Sequence, residues 1–90
     1  MSAHDEVFEP LLGKRRTTRQ ALLEVAERWT KAPIEDPGAR SALEDAVRHR
    51  ILRGEIAGEV PPGTDAAALA RAFVAALVAG KGLAAVKLLP

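Results

Sequence analysis

Apolar residues recur at helical spacing along three stretches of the chain, with prolines and glycines standing between them. Leu22, Val25, Ala26 and Trp29 share one side of a helix that spans about residues 17–31. Its start has the form of a capping box, Thr17-x-x-Gln20, in which the hydroxyl satisfies an orphan N–H and the glutamine reaches back to the cap. Glu24 and Arg28 stand one turn apart on it, and Pro33 stops it. A second helix is expected over about residues 36–58. Asp36 is its cap, and Pro37 takes the first helical position, where no N–H is needed. Ala39, Leu43, Val47 and Ile51 form one stripe, while Leu52 and Ile56 fall nearly opposite, a pattern that suits a helix packed on two sides. Gly54 weakens its last part, Gly58 suits the position just past its end, and Pro61-Pro62-Gly63 forces a turn. The third helix, about residues 65–85, starts at Thr64 or Asp65. Leu69, Phe73, Val74, Leu77 and Val78 cover about half of its circumference. Ala72, Ala76 and Gly80 follow one another along an adjacent strip, where small side chains let a neighbouring helix come close.

The first residues read less clearly. Val7, Phe8, Leu11 and Leu12 have roughly helical spacing, but Pro10 interrupts them and Gly13 ends the stretch. Residues 1–16 are expected to form an arm with at most a short helical turn, ahead of a helical domain over residues 17–90. The fold class is therefore all-α, three main helices packing as a bundle. Alanine is abundant and aromatics make up only 3% of the chain, which favours helix over sheet.

Ninety residues suffice for one domain. With no cysteine there is no disulfide staple, and a small chain without staples often gains stability by associating. The third helix points the same way, since two preceding helices hardly cover so apolar an element and an exposed remainder would be a large patch. The net charge of +1 does not announce a nucleic-acid binder. Its distribution is less even: Asp5, Glu6 and Glu9 precede a basic run of Lys14, Arg15, Arg16 and Arg19, and no acid follows Asp65. No apolar secretory region is visible, and the uncharged stretch from Ala72 to Gly80 is far shorter than the ~20 residues of a membrane span. A soluble, cytoplasmic protein is expected.

No catalytic pattern emerges from the residues that carry chemistry. Gly80-Lys81-Gly82 lacks the preceding glycine and following hydroxyl residue of a phosphate loop and reads as a frayed or kinked helix end. His4 and His49 lie far apart without the convergent partners a zinc site needs; His49 reads as a surface residue, with pH sensing or ligand contact as the alternative. Asp36, Glu44, Asp45, Glu55 and Glu59 fall mostly on expected polar faces rather than in an apolar cleft. Thr17, Thr18, Ser41 and Thr64 have no nucleophile-elbow context. The basic run is either solvated charge or a weak contact for DNA phosphates or an acidic partner, with no interleaved aromatic to stack on bases. Trp29 is either core or the lining of a pocket or interface. Neither enzyme activity, a metal nor a cofactor is expected.

Arg53-Gly54-Glu55-Ile56-Ala57-Gly58-Glu59-Val60-Pro61-Pro62-Gly63-Thr64-Asp65, followed by Ala66-Ala67-Ala68-Leu69-Ala70-Arg71, resembles the join between the last two helices of TetR-family C-terminal domains. The resemblance covers about Asp36 to Leu83. It implies that helices 36–58 and 65–85 pair with those of a second subunit in a four-helix bundle, with Leu43, Val47, Ile51, Leu69, Ala72, Phe73, Ala76, Leu77 and Gly80 at the dimer interface. It further implies a pocket for a small hydrophobic ligand, for which Trp29, Leu43 and Val47 are the candidates. Lys14 to Leu23 is similar to the opening arm and first helix of the family's DNA-reading headpiece, but after Trp29 the chain passes to Pro33 and Pro37 instead of a turn and recognition helix. No sequence-specific DNA contact is therefore expected. The function so implied is regulatory, by homodimerisation or by pairing with a TetR-type subunit. The alternatives are a stand-alone helical protein that binds a small hydrophobic ligand and, with lysines too sparse for a good basic face, an amphipathic protein of a membrane surface.

Overall fold

The computed structural model describes residues 3–87, and every regular element among them is helical. Helix α1 spans Ala3–Phe8 and passes into a single 3-10 turn, Glu9–Leu11. Helices α2 (Thr18–Lys31), α3 (Pro37–Ile56), α4 (Ala66–Val78) and α5 (Gly82–Lys87) follow.

Local chemistry explains most of these limits. The Thr17 hydroxyl accepts from the Gln20 N–H at 3.2 Å, and the Gln20 side chain accepts from the Thr17 N–H at 3.0 Å, which completes the capping box. Asp36 accepts from the Ala39 N–H at 2.8 Å, and Asp65, rather than Thr64, accepts from the Ala68 N–H at 3.0 Å. At the end of α3, Gly58 takes φ +80°, and the Glu59 N–H returns to the Gly54 carbonyl at 2.8 Å. That closure satisfies carbonyls the helix would otherwise leave bare.

The expected third helix over 65–85 is two helices. Gly80 adopts φ +76°, the Gly80 N–H donates to Leu77 O at 3.0 Å, and the Lys81 N–H donates to Ala76 O at 2.8 Å. This is the same left-handed closure that ends α3, and it turns the chain so that α5 packs back on α2 and α4. Apolar periodicity runs through both sides of the break, which is why spacing alone reads one continuous helix.

The core draws on every helix. α3 and α4 form the most extensive pair, and Leu43, Val47, Ile51, Phe73 and Leu77 are each at most 1% exposed. Burying side chains of this size is worth roughly 1.5–3 kcal/mol each. Leu22, Val25, Trp29 and Ile34 join the same cluster, and Val86 of α5 closes it. The N-terminal segment, expected as an arm or turn, contributes Val7, Pro10 and Leu11 to the buried interior. Arg28 fastens it from outside, donating to the Glu6 carbonyl at 2.9 Å and to the Glu9 carboxylate at 2.8 Å. The Glu24–Arg28 pair forms at 3.7 Å. A radius of gyration of 11.8 Å agrees with the ~12 Å of a packed domain this long.

Among the described residues, no helix is long and apolar enough to cross a membrane.

Candidate functional site

The nine residues expected at a dimer interface separate into three groups in the structure. Leu43, Val47, Ile51, Phe73 and Leu77 are spent on the core of a single chain. Leu69 and Ala76 are half-buried against that core, while Ala72 and Gly80 are exposed. The face that covers α4 is thus supplied largely by α3 and α5 of the same chain. What α4 leaves to solvent is an alanine surface: Ala67, Ala68, Ala72, Ala75 and Ala79, with Val78 at 46% exposure. Arg71 is the one charge in α4, and it reaches Glu44 of α3 at 3.8 Å.

The candidate pocket residues are not gathered around a cavity. Leu43 and Val47 have no exposed surface. Trp29 is 5% exposed and borders a groove of about 360 Å³ together with Pro33, Arg40 and Leu77. The Arg40 guanidinium lies 6.0 Å from the Trp29 ring centroid, within reach of a cation–π attraction, and its Nε donates to the Ile34 carbonyl at 2.7 Å. A larger groove, about 440 Å³, lies between α2 and the α4–α5 turn and is bordered by Leu23, Ala26, Thr30, Lys81 and Ala84.

Spacing gave no warning of a polar cluster at the start of α2. Arg50 is only 5% exposed, so its charge needs partners. Its Nη1 donates to the Thr18 hydroxyl at 3.1 Å, and its Nη2 donates to the Arg16 carbonyl at 2.7 Å and to Glu59 at 3.5 Å. The same Glu59 oxygen accepts from the Thr18 N–H at 3.0 Å and from the Thr18 hydroxyl at 2.8 Å. A carboxylate therefore sits on the first turn of α2, where the helix dipole and free N–H groups favour negative charge. Both Thr18 contacts, followed by the charge of Arg50, hold the Glu59 carboxyl below the ordinary glutamate range. Among the described residues no buried side-chain nitrogen or oxygen is left without a partner.

Gly54 makes this approach feasible. A methyl group there would overlap the Thr18 hydroxyl and press on Val60 Cγ2 at 3.0 Å. Beside it in the chain and one turn past Arg50, Arg53 donates through Nη1 to the Leu11 carbonyl at 3.2 Å and through Nη2 to the Gly13 carbonyl. Arg50 and Arg53 thereby clip residues 11–16 along α3. A glycine inside an otherwise regular helix, costing about 1 kcal/mol against alanine, was the available sequence signal for a close packing contact.

The basic run is not uniformly solvated. Lys14, Arg15 and Arg19 are exposed, but Arg16 turns inward to Glu24 and also faces Glu9 at 3.5 Å. The hydrogen bond and charge of Glu24 raise the Arg16 pKa above its ordinary value. His49 is exposed, with Arg48 at 3.5 Å from its ring. Gly80-Lys81-Gly82 forms the α4–α5 turn. Among the described residues, no group of three or more histidine or carboxylate side chains is placed to hold a metal ion. Comparisons with family models, curated proteins and solved structures found no match to this chain.

Proposed function

We propose that the chain is a non-enzymatic, cytoplasmic association module, regulatory in the manner of a TetR-type C-terminal domain, that works as a homodimer or beside a TetR-type subunit and does not itself read DNA. One observation carries this reading: the outward side of α4 presents a row of alanines, with Arg71 as its one charge. Ala68, Ala72, Ala75 and Ala79 are exposed at successive spacings of 4, 3 and 4 residues, the seam that two packed helices share. A row of apolar positions on the side of a helix away from its own core is ordinarily covered. Small side chains also let a facing helix approach closely enough for dispersion contacts to accumulate along its length.

Size sets the expected strength. A helix of 13 residues is about 20 Å long. A standard interface buries about 800 Å² per partner, roughly a seventh of the 5449 Å² this chain exposes. Alanines on a helix of that length fall short of it, which places the contact among the small, transient interfaces.

Light scattering after size exclusion, across the micromolar range, tests the proposal. Wild type should approach dimer mass as concentration rises. Ala72→Glu and Ala75→Glu, at exposed positions where glutamate keeps good helix propensity, should remain monomeric with unchanged helicity. A wild type that stays monomeric throughout would overturn the homodimer, and failure to co-purify with a TetR-type subunit would remove the heterodimer.

A further inference from the structure

The contacts that clip the N-terminal segment onto α3 also frame a groove of about 360 Å³, bordered by Lys14, Arg16, Arg50, Arg53, Ile56 and Glu59. We infer that this groove binds a small amphiphilic anion, a carboxylate or phosphate head on a short hydrocarbon body. Every residue involved belongs to one chain, so the inference is independent of the proposed dimer.

Charge provides the first argument. Four of the bordering side chains are cationic and one, Glu59, is anionic. Arg16 is answered by Glu24 and Glu9, and Arg50 by Glu59. Among the described residues, no carboxylate lies within ion-pair distance of Lys14 or Arg53. The Leu11 and Gly13 carbonyls that receive Arg53 are neutral, so its positive charge stays in place. A guanidinium also has more N–H donors than two carbonyls use. Like-signed charges along a protein-walled groove focus the field on a ligand of opposite sign.

Preorganisation comes next. The Arg50 side chain is 6% exposed and fixed by Thr18, the Arg16 carbonyl and Glu59, and Arg53 is held at two points. Much of the cost of ordering these long side chains is thus met on folding rather than on binding.

The apolar half of the ligand follows from Ile56. It is 88% exposed, the most exposed large hydrophobic residue among those described, and it borders the groove beside Ala57. A hydrocarbon body laid on this pair would remove from water a surface that folding leaves wet. The volume lies near the small end of the about 300–1,000 Å³ range of small-molecule sites. No aromatic residue borders the groove, so a nucleic-acid base finds no stacking partner.

Calorimetry on the full chain tests this with octyl phosphate and octanoate, each below its micelle-forming concentration, beside inorganic phosphate and octanol. Both octyl anions should bind saturably, the tighter of the two identifying the head group. Inorganic phosphate and octanol should each bind at least about tenfold more weakly, since each lacks one half of the recognition. Lys14 makes no hydrogen bond or ion pair within the described fold, so Lys14→Gln should keep the wild-type melting temperature while weakening the octyl anions about fivefold, the scale of one exposed charge. Ile56→Ser should weaken the octyl anions and leave inorganic phosphate unchanged. The inference is overturned if neither octyl anion binds saturably, if octanol binds as tightly as octyl phosphate, or if both substitutions leave affinity unaltered. It is equally overturned if a single-stranded oligonucleotide binds more tightly than either octyl anion.

Discussion

Helix α3 joins its neighbours in two different ways. Toward α4 it presents Leu43, Val47 and Ile51, which meet Phe73 and Leu77 in a sealed apolar core. Toward the start of α2 it presents Gly54, Arg50 and Arg53, which engage Thr18, Glu59 and the carbonyls of residues 11, 13 and 16. The first junction is stabilised by area removed from water, a non-directional quantity spread over several side chains. The second depends on a bare backbone position and on directed hydrogen bonds to one buried charge. An apolar junction should degrade in proportion to the volume removed, whereas a polar one should respond to a change of a single atom.

Volume is the first way to test that contrast. Phe73→Ala, at a site with no exposure, should cost about 3–5 kcal/mol, measured as the shift in urea midpoint at constant slope. A loss below about 1 kcal/mol would mean that the core around α4 is not packed as described.

A smaller effect, and a more specific one, is expected at Gly54. Gly54→Ala should destabilise by about 2 kcal/mol, because overlap with Thr18 and pressure on Val60 outweigh the helix propensity that alanine gains. Combining it with Thr18→Ala removes the overlapping hydroxyl, so the double variant should be more stable than the sum of the two single losses predicts. Strict additivity would show that the close approach of α2 to α3 does not limit this position.

The smallest effect is one of pH. Folding holds the Glu59 carboxyl below the ordinary glutamate range. Its contribution to stability is therefore complete above the unfolded glutamate pKa and disappears as pH falls through the depressed folded value. Thermal melts of wild type should show this loss on the acid side, and Glu59→Gln should flatten that part of the profile while leaving the slope near neutrality alone. An unchanged acid limb in Glu59→Gln would sever the link between Glu59 and the start of α2.

The two junctions also differ in how far they could be read in advance. The stripe Leu43, Val47, Ile51 and the bulky residues Phe73 and Leu77 were legible as apolar faces, because four-residue spacing is a local property. What covers them was not. The chain's own α3 and α5 close over much of α4, so five of the nine residues expected between subunits lie within one. The pairing of α3 with α4 buries most of them, and the break at Gly80 adds α5, which a continuous helix could not bring back onto α2. The Arg50 cluster was hidden for a related reason. Its partners Thr18 and the Arg16 carbonyl stand 32 and 34 residues away, and no periodicity within α3 points that far. The basic run at residues 14–16 was visible, but its meeting with Arg50 and Arg53 along one groove was not.

By itself, then, the sequence determined the helical class, the capping of α2 by Thr17 and of α3 by Asp36, a start of α4 at Thr64 or Asp65, and the left-handed end of α3 at Gly58. Each depends on residues within about one helical turn, where backbone donors and acceptors find their partners without the rest of the chain. Only the tertiary structure decided which apolar faces are sealed, which alanines remain outside, and which charges gather at the start of α2. Those depend on what distant segments present to one another, and burial and electrostatics act across space irrespective of position in the chain.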